Sequence, residues 1–277
     1  MKRLLHIEFI KLWNNTASKV LIITYFALLT SIALVAAIKF DIGPIQFHLA
    51  EQGIFNFPFI WHFNTFIVAF FKLFLAIVIV SMMANEYSNK TIKQNLIDGL
   101  SKKEFILSKF LTVLTFAVIS TVFVFTVSLT LGLIYSDYNQ VSIIFSDLEY
   151  LLAFFVKLLG FFSFCLFLGI LVKRSAFSLG FLVIWAIFEQ IVFGILGWKV
   201  MSWEMANNVL GFFPIRSMSN LIKEPFSRLS AVQSVAKQIG EDVNFDYAVH
   251  WYQIIIVLAW TAIFMYLSLV LLKKRDL

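Results

Sequence analysis

Apolar runs long enough to cross a lipid bilayer alternate with shorter polar breaks along this chain. A spanning helix needs roughly 20 mostly apolar residues, and six stretches qualify. They run over Val20 to Ile38, about Ile60 to Ala84, about Phe110 to Tyr135, about Leu148 to Val172, about Ala176 to Leu196 and about Trp251 to Leu272. Three pieces fall outside this pattern. Residues 1–17 show helical periodicity, with Leu5, Phe9, Leu12 and Trp13 on one face and Arg3, Glu8, Lys11 and Asn14 opposite. The pattern predicts an interfacial helix, apolar side in the headgroups and basic side toward the cytoplasm and anionic lipid.

The second piece, Asn85 to Phe110, separates the second and third spans and carries its own start and stop signals. Ser88 or Asn89 can cap a short helix running to Asn95, with Ile92, Leu96 and Ile97 on one side, and Gly99 is placed to end it in the left-handed conformation. Ser101 and Glu104 then form an S-x-x-E capping box for a helix that continues into the membrane. The prediction is helix, sharp turn, helix at the membrane surface, with a solvated connecting loop as the bland alternative. The third piece, 198–250, is only partly polar. VLGFFPIRSMSNLI from Val209 is apolar but too short to span and is broken by Pro214, as in re-entrant segments. After it, Leu229, Val232, Val235, Ala236 and Ile239 recur at helical spacing, predicting a short amphipathic helix ended by Gly240.

Composition strengthens the membrane reading. The 277 residues are 61% hydrophobic and 14% charged, against roughly 25% charge in soluble domains. Such a chain cannot cover a water-facing globule, whereas an all-α bundle satisfies its backbone inside lipid. The 33 Phe and 7 Trp suit lipid contact and interfacial anchoring. Six spans place both termini on one side. Lysines and arginines of the short breaks (Lys2, Arg3, Lys90, Lys93, Lys102, Lys103, Lys109, Lys173, Arg174, Lys273, Lys274) assign that side to the cytoplasm. The net charge of +6 is therefore read as cytoplasmic edges and not as a nucleic-acid surface. A cleaved signal peptide is a poorer reading of the start, because the first apolar run is long and follows a polar-rich leader. The single cysteine, Cys165, lies in an apolar run and reads as a small core residue.

Enzymatic signals are missing. No G-x-x-x-x-G-K-[ST] phosphate loop, no H-E-x-x-H and no pair of cysteines at zinc spacing occurs. His48, Glu51 and His62 make at most a weak metal candidate, and no metal site is expected. Charge inside the spans is the chemical feature that stands out. Lys72, Lys157 and Glu189 interrupt the second, fourth and fifth spans, where an unpaired charge costs at least about 2.5–3.5 kcal/mol. Each lies about 15 residues from the cytoplasmic edge, roughly 21–24 Å up at about 1.5 Å per residue. Equal depth predicts that Glu189 neutralises one lysine, leaving either a structural pair or a polar patch on a route.

The layout resembles the permease subunit of an ATP-binding cassette (ABC) transporter of the type-2, exporter-class family. The elbow carries the most specific likeness: Glu86, Thr91, Leu96, the small-basic pair Ser101-Lys102, and Lys109. A proline that often precedes the small-basic pair is replaced here by Gly99-Leu100. The resemblance implies a single permease domain over residues 1–277, with 85–109 as the segment that couples to a separate ATPase subunit. Glu86, Thr91, Ile92, Leu96, Ile97, Ser101, Lys102 and Lys109 would carry that coupling. It further implies a second permease, identical or paralogous, location in the plasma membrane, no cofactor in this chain, and ATP and magnesium bound by the partner. Export driven by ATP is the expected function. A non-transporting complex acting on envelope components and an ion-coupled carrier are the alternatives; no inverted repeat or pair of broken helices supports the carrier.

Overall fold

The computed structural model describes residues 2–37, 39–42, 45–48, 53–138, 140–229, 232–233 and 246–275. Helix α1 (Lys2–Asn14) and helix α2 (Thr16–Ala37) meet at a bend of 94°. The bend is written locally: the Asn15 side-chain oxygen accepts from the Ser18 amide at 3.0 Å, capping α2 and stopping α1 from running on. A short antiparallel ribbon follows, β1 (Lys39–Ile42) with β2 (Ile45–His48), Lys39 opposite His48. The apolar pattern gave no hint of this ribbon.

The second span is helix α3 (Phe59–Val68), a 3₁₀ turn at Ala69–Phe71, and helix α4 (Lys72–Ser88). After the elbow helix α5 (Thr91–Ile97), the third span is helix α6 (Lys102–Tyr135). Its 34 residues amount to about 51 Å at 1.5 Å per residue, well beyond a hydrocarbon core of about 30 Å. One end must therefore stand out of the lipid, and the capping box puts that end at the elbow. Helix α7 (Val141–Ile144) leads into the fourth span, α8 (Glu149–Val172), and α9 (Ser175–Ile195) is the fifth, ending in a π-turn at Leu196–Val200. Helices α10 (Trp203–Leu210) and α11 (Pro214–Asn220) precede the last span, α12 (Trp251–Lys274). Among the described residues five helices are long and apolar enough to cross a membrane, and the bent α1–α2 pair supplies the sixth candidate. The chain is an all-α multi-pass membrane protein, its spans within a few residues of those predicted.

Helix α8 is the hub, packed against α3, α4, α6, α9 and α12. In its most apolar window 83% of residues are buried, against 11% in α9, so α8 is core and α9 is periphery. Gly160 sets how closely α12 approaches: a Cβ there would lie 2.6 Å from Val257 Cγ1 and 3.1 Å from Met218 Cε. That second contact also places α11 deep against the middle of α8, as a re-entrant segment requires. Pro214 breaks the apolar stretch by starting α11 at its first turn, where a missing N–H costs nothing. The amphipathic helix expected from Leu229 to Gly240 lies almost wholly outside the described residues. At the opposite end of the bundle, Arg275 donates to the Tyr87 hydroxyl at 3.0 Å and to the Leu171 carbonyl at 2.9 Å. The Lys102 ammonium donates to the carbonyls of Lys273 and Arg275 at 3.3 and 3.0 Å. The last turn of α12, the elbow and α1 thus share one end.

Candidate functional site: the elbow and a layer of buried charge

The elbow is built from backbone chemistry. Lys90 turns the chain at φ 55°, a left-handed position, and caps α5, which begins at Thr91; the cap is one residue beyond Asn89 and two beyond Ser88, the positions expected. It runs to Ile97 and ends in a Schellman motif. Gly99, at φ +94°, donates to the Leu96 carbonyl at 3.2 Å, and Leu100 donates to that of Asn95 at 3.0 Å. Ser101 then caps α6. Its hydroxyl accepts from the Glu104 amide at 3.2 Å, while the Glu104 carboxylate accepts from the Ser101 amide at 3.0 Å. Both ends of α5 are therefore fixed, which makes the elbow a stiff corner.

Beneath it lies a buried ion cluster. The Lys109 ammonium, fully buried, stands 2.6 Å from Glu8 Oε2 and 2.5 Å from Glu86 Oε1. Lys11 reaches the same Glu86 oxygen at 2.9 Å and lies 3.8 Å from Glu8 Oε1. The Thr91 hydroxyl donates to the second Glu86 oxygen and to the Glu86 carbonyl. Two carboxylates and two ammonium groups balance in charge, and both carboxylate oxygens of Glu86 have donors. Glu86, Thr91 and Lys109 of the sequence likeness are thus brought together. Glu8 is a correction: placed by periodicity on the water-facing side of α1, it is 5% exposed and points inward with Leu12. The inward face of α1 also carries Phe9, whose ring lies 5.7 Å from that of Phe116 on α6, while Ile10 and Trp13 are exposed. Charge pairing overrode the apolar periodicity. Glu8 is the only acidic residue before Asp41, a lone carboxylate on a basic helix, and that isolation is a signal the sequence does carry.

The remaining elbow residues divide. Ile92 is 2% exposed and packs into the chain's own core, Leu96 is half-buried, and Ile97 is 76% exposed. They do not present one common apolar face, as the sequence suggested; Ile97 shares the outer surface with Lys93 and Gln94. Ser101 is spent on the cap and Lys102 on the last carbonyls of α12.

Of the three charges inside the spans, two share a cavity and the third stands apart. Lys72 and Lys157 line a single cavity of about 410 Å³, walled by α3, α4, α8, α9 and α11. Glu189 does not pair with either lysine, contrary to expectation. Its Oε1 accepts from the Trp185 indole at 2.7 Å and the Ile215 amide at 3.1 Å, and its Oε2 from the Arg216 amide at 2.7 Å. The free amides at the start of α11 supply the donors a buried carboxylate needs. Arg216 adds positive charge nearby, its guanidinium held by Asn207 and Gln190 and stacked over Phe193 at 3.7 Å. Trp185 stands four residues before Glu189 on one helix, so that contact was readable from spacing; the α11 amides were not. His62 is engaged by the Lys223 carbonyl at 2.9 Å and Arg228 at 3.1 Å, and stacks on Tyr150. The companions that the sequence suggests for it, the His48 side chain and Glu51, lie outside the described residues.

Comparison with curated proteins returns no match. A family model described as "ABC-2 family transporter protein" matches residues 12–277, nearly the whole chain, including the elbow, Glu86, Lys109 and the three charges inside the spans; Glu8 and Lys11 precede the matched region. The match, the six candidate spans and the capped elbow between the second and third agree, and the chain belongs to the ABC-2 transporter family as a membrane permease subunit.

Proposed function

We propose that this permease is half of an ATP-driven exporter and that residues 85–109 take force from a separate ATPase. The partner would bind ATP and magnesium, and a second permease, identical or paralogous, would complete the path. The observation that carries this reading is the ion cluster. Through Glu86, Thr91, Lys109 and Glu8 it ties the end of α4, the elbow helix and α6 to α1. Packed, paired elements move as bodies and do not deform continuously. A push on α5 would therefore reach the second and third spans and the surface helix together.

The exposed face of α5 supplies the docking test. Ile97→Asp is expected to abolish co-purification of the ATPase while leaving membrane insertion and folded yield intact, since a charge forced against an apolar groove costs several kcal/mol. Ile92→Asp is expected instead to lower folded yield, because that side chain belongs to the permease's own core. Undiminished co-purification with Ile97→Asp would remove α5 from the interface.

Orientation is tested separately. With Cys165 replaced, single cysteines at Lys103 and Lys173 are expected to resist a membrane-impermeant thiol reagent in intact cells, while one at Gln233 labels. Labelling at Lys103 would put the elbow on the wrong side for any cytoplasmic ATPase.

A further inference from the structure

Lys72 and Lys157 raise a question that the elbow does not answer. Lys157 is 5% exposed, and among the described residues no carboxylate pairs with either ammonium. Glu189 has its oxygens occupied by Trp185, Ile215 and Arg216. Among the described residues, the favourable contact of charge for Lys72 is the Phe161 ring at 4.5 Å. Two cations on one wall repel each other, and a site in hydrocarbon keeps such groups only where they face a cavity or a partner. Here both line the same cavity.

The remaining walls are apolar. Phe66, Phe70, Leu182 and Ile187 form the sides, and Ser219 beside them is the one other polar side chain on the described lining. The rim continues onto lipid-facing surface: Phe70 and Leu73 on one side, Val183 and Ile187 on the other, each more than half exposed. The 3₁₀ turn at Ala69–Phe71 breaks the helix beside Lys72, at the cavity wall. An opening toward hydrocarbon, a volume of about 410 Å³, apolar sides and two convergent cations match one ligand chemistry. The volume falls within the range of small-molecule sites.

We propose that this cavity binds an amphiphile with an anionic head, phosphate or carboxylate, seated between Lys72 and Lys157 with its hydrocarbon tail leaving sideways past Phe70 and Ile187. A headgroup anion supplies the counter-charge that the protein itself omits, and the tail occupies a wall that water cannot solvate. That the amphiphile is also the exported cargo rests on the function proposed above; binding does not, and can be measured on the permease alone.

The test uses the full chain in phosphatidylcholine nanodiscs. Retention of phosphatidic acid, of phosphatidylcholine with the same chains, and competition by inorganic phosphate are read by native mass spectrometry. The expected result is at least tenfold preference for phosphatidic acid, loss of that preference in the Lys72→Met/Lys157→Met protein, and its return with arginine at both positions. Ala186→Trp, which fills the cavity and leaves both lysines, should abolish binding too, and decides the matter if the methionine variant fails to elute as a single species. Equal retention of both lipids, or retention unchanged by Ala186→Trp, overturns the site. Displacement of phosphatidic acid by millimolar inorganic phosphate, with no advantage for the acylated anion, overturns the amphiphile and makes it a free-anion site.

Discussion

Lys109→Met is expected to remove most of the folded protein. The ammonium is fully buried between two carboxylates, Glu8 at 2.6 Å and Glu86 at 2.5 Å. Methionine keeps the volume of the stem and deletes the charge, leaving two buried carboxylates to share the single ammonium of Lys11. Breaking a buried ionic group by removing one member costs about 3–5 kcal/mol, whereas replacing all members by neutral groups is often close to neutral. A domain holds only about 5–15 kcal/mol in total, so the single change consumes a large part of it. The measurement is monodisperse yield and thermal midpoint in detergent. The triple change Glu8→Gln, Glu86→Gln, Lys109→Met should recover much of what the single change loses. Lys11, about two-fifths exposed, remains solvated in that protein and needs no replacement. Recovery with ATPase stimulation still absent would assign the cluster to transmission as well as to folding. Additive losses across the three positions would mean that the groups act separately and that α1 is not tied to the elbow.

The cluster also marks the boundary between what the chain discloses locally and what only packing decides. The spans were legible because lipid demands length and apolarity, and both are written residue by residue. The elbow's corners were legible for the same reason. Gly99 is where a left-handed residue is needed, and Ser101 with Glu104 closes its capping box without help from elsewhere in the chain. Glu86, Thr91 and Lys109 stood out by likeness alone, with no physical reason for their company. That reason is a fourth residue, Glu8, which is 101 positions from Lys109 in sequence. Periodicity turned α1 the wrong way at this residue, because sorting a helix into apolar and polar faces counts a carboxylate as polar whether or not an ammonium awaits it. The split between Ile92 and Ile97 has a similar origin. Both are apolar and five positions apart on a two-turn helix, and the choice of which one faces inward belongs to the neighbouring spans.

Glu189 shows the same limit, and its variants are expected to separate two accounts of the buried charges. Depth alone suggested a lysine partner; the structure gives the carboxylate two amides at the start of α11 and the Trp185 indole. Glu189→Leu removes the acceptor for all three donors, at about 1–3 kcal/mol for each group left unsatisfied. The loss should appear at α11, which the carboxylate holds against the bundle. A cysteine at Ser217, buried in the wild-type chain, is expected to resist a thiol reagent until Glu189→Leu is added and then to react. Glu189→Gln keeps one acceptor oxygen and should fall between the two. Adding Lys157→Met to either variant should restore nothing, because no ion pair is broken by the first change. The same holds for Lys72→Met. Recovery of yield and of Ser217 protection in the Lys157 double variant would reverse this assignment. It would show that a lysine reaches Glu189 in the membrane and that the α11 amides are secondary. Without such recovery, Glu189 is the latch of the re-entrant helix, and the two lysines are free to serve the cavity they line.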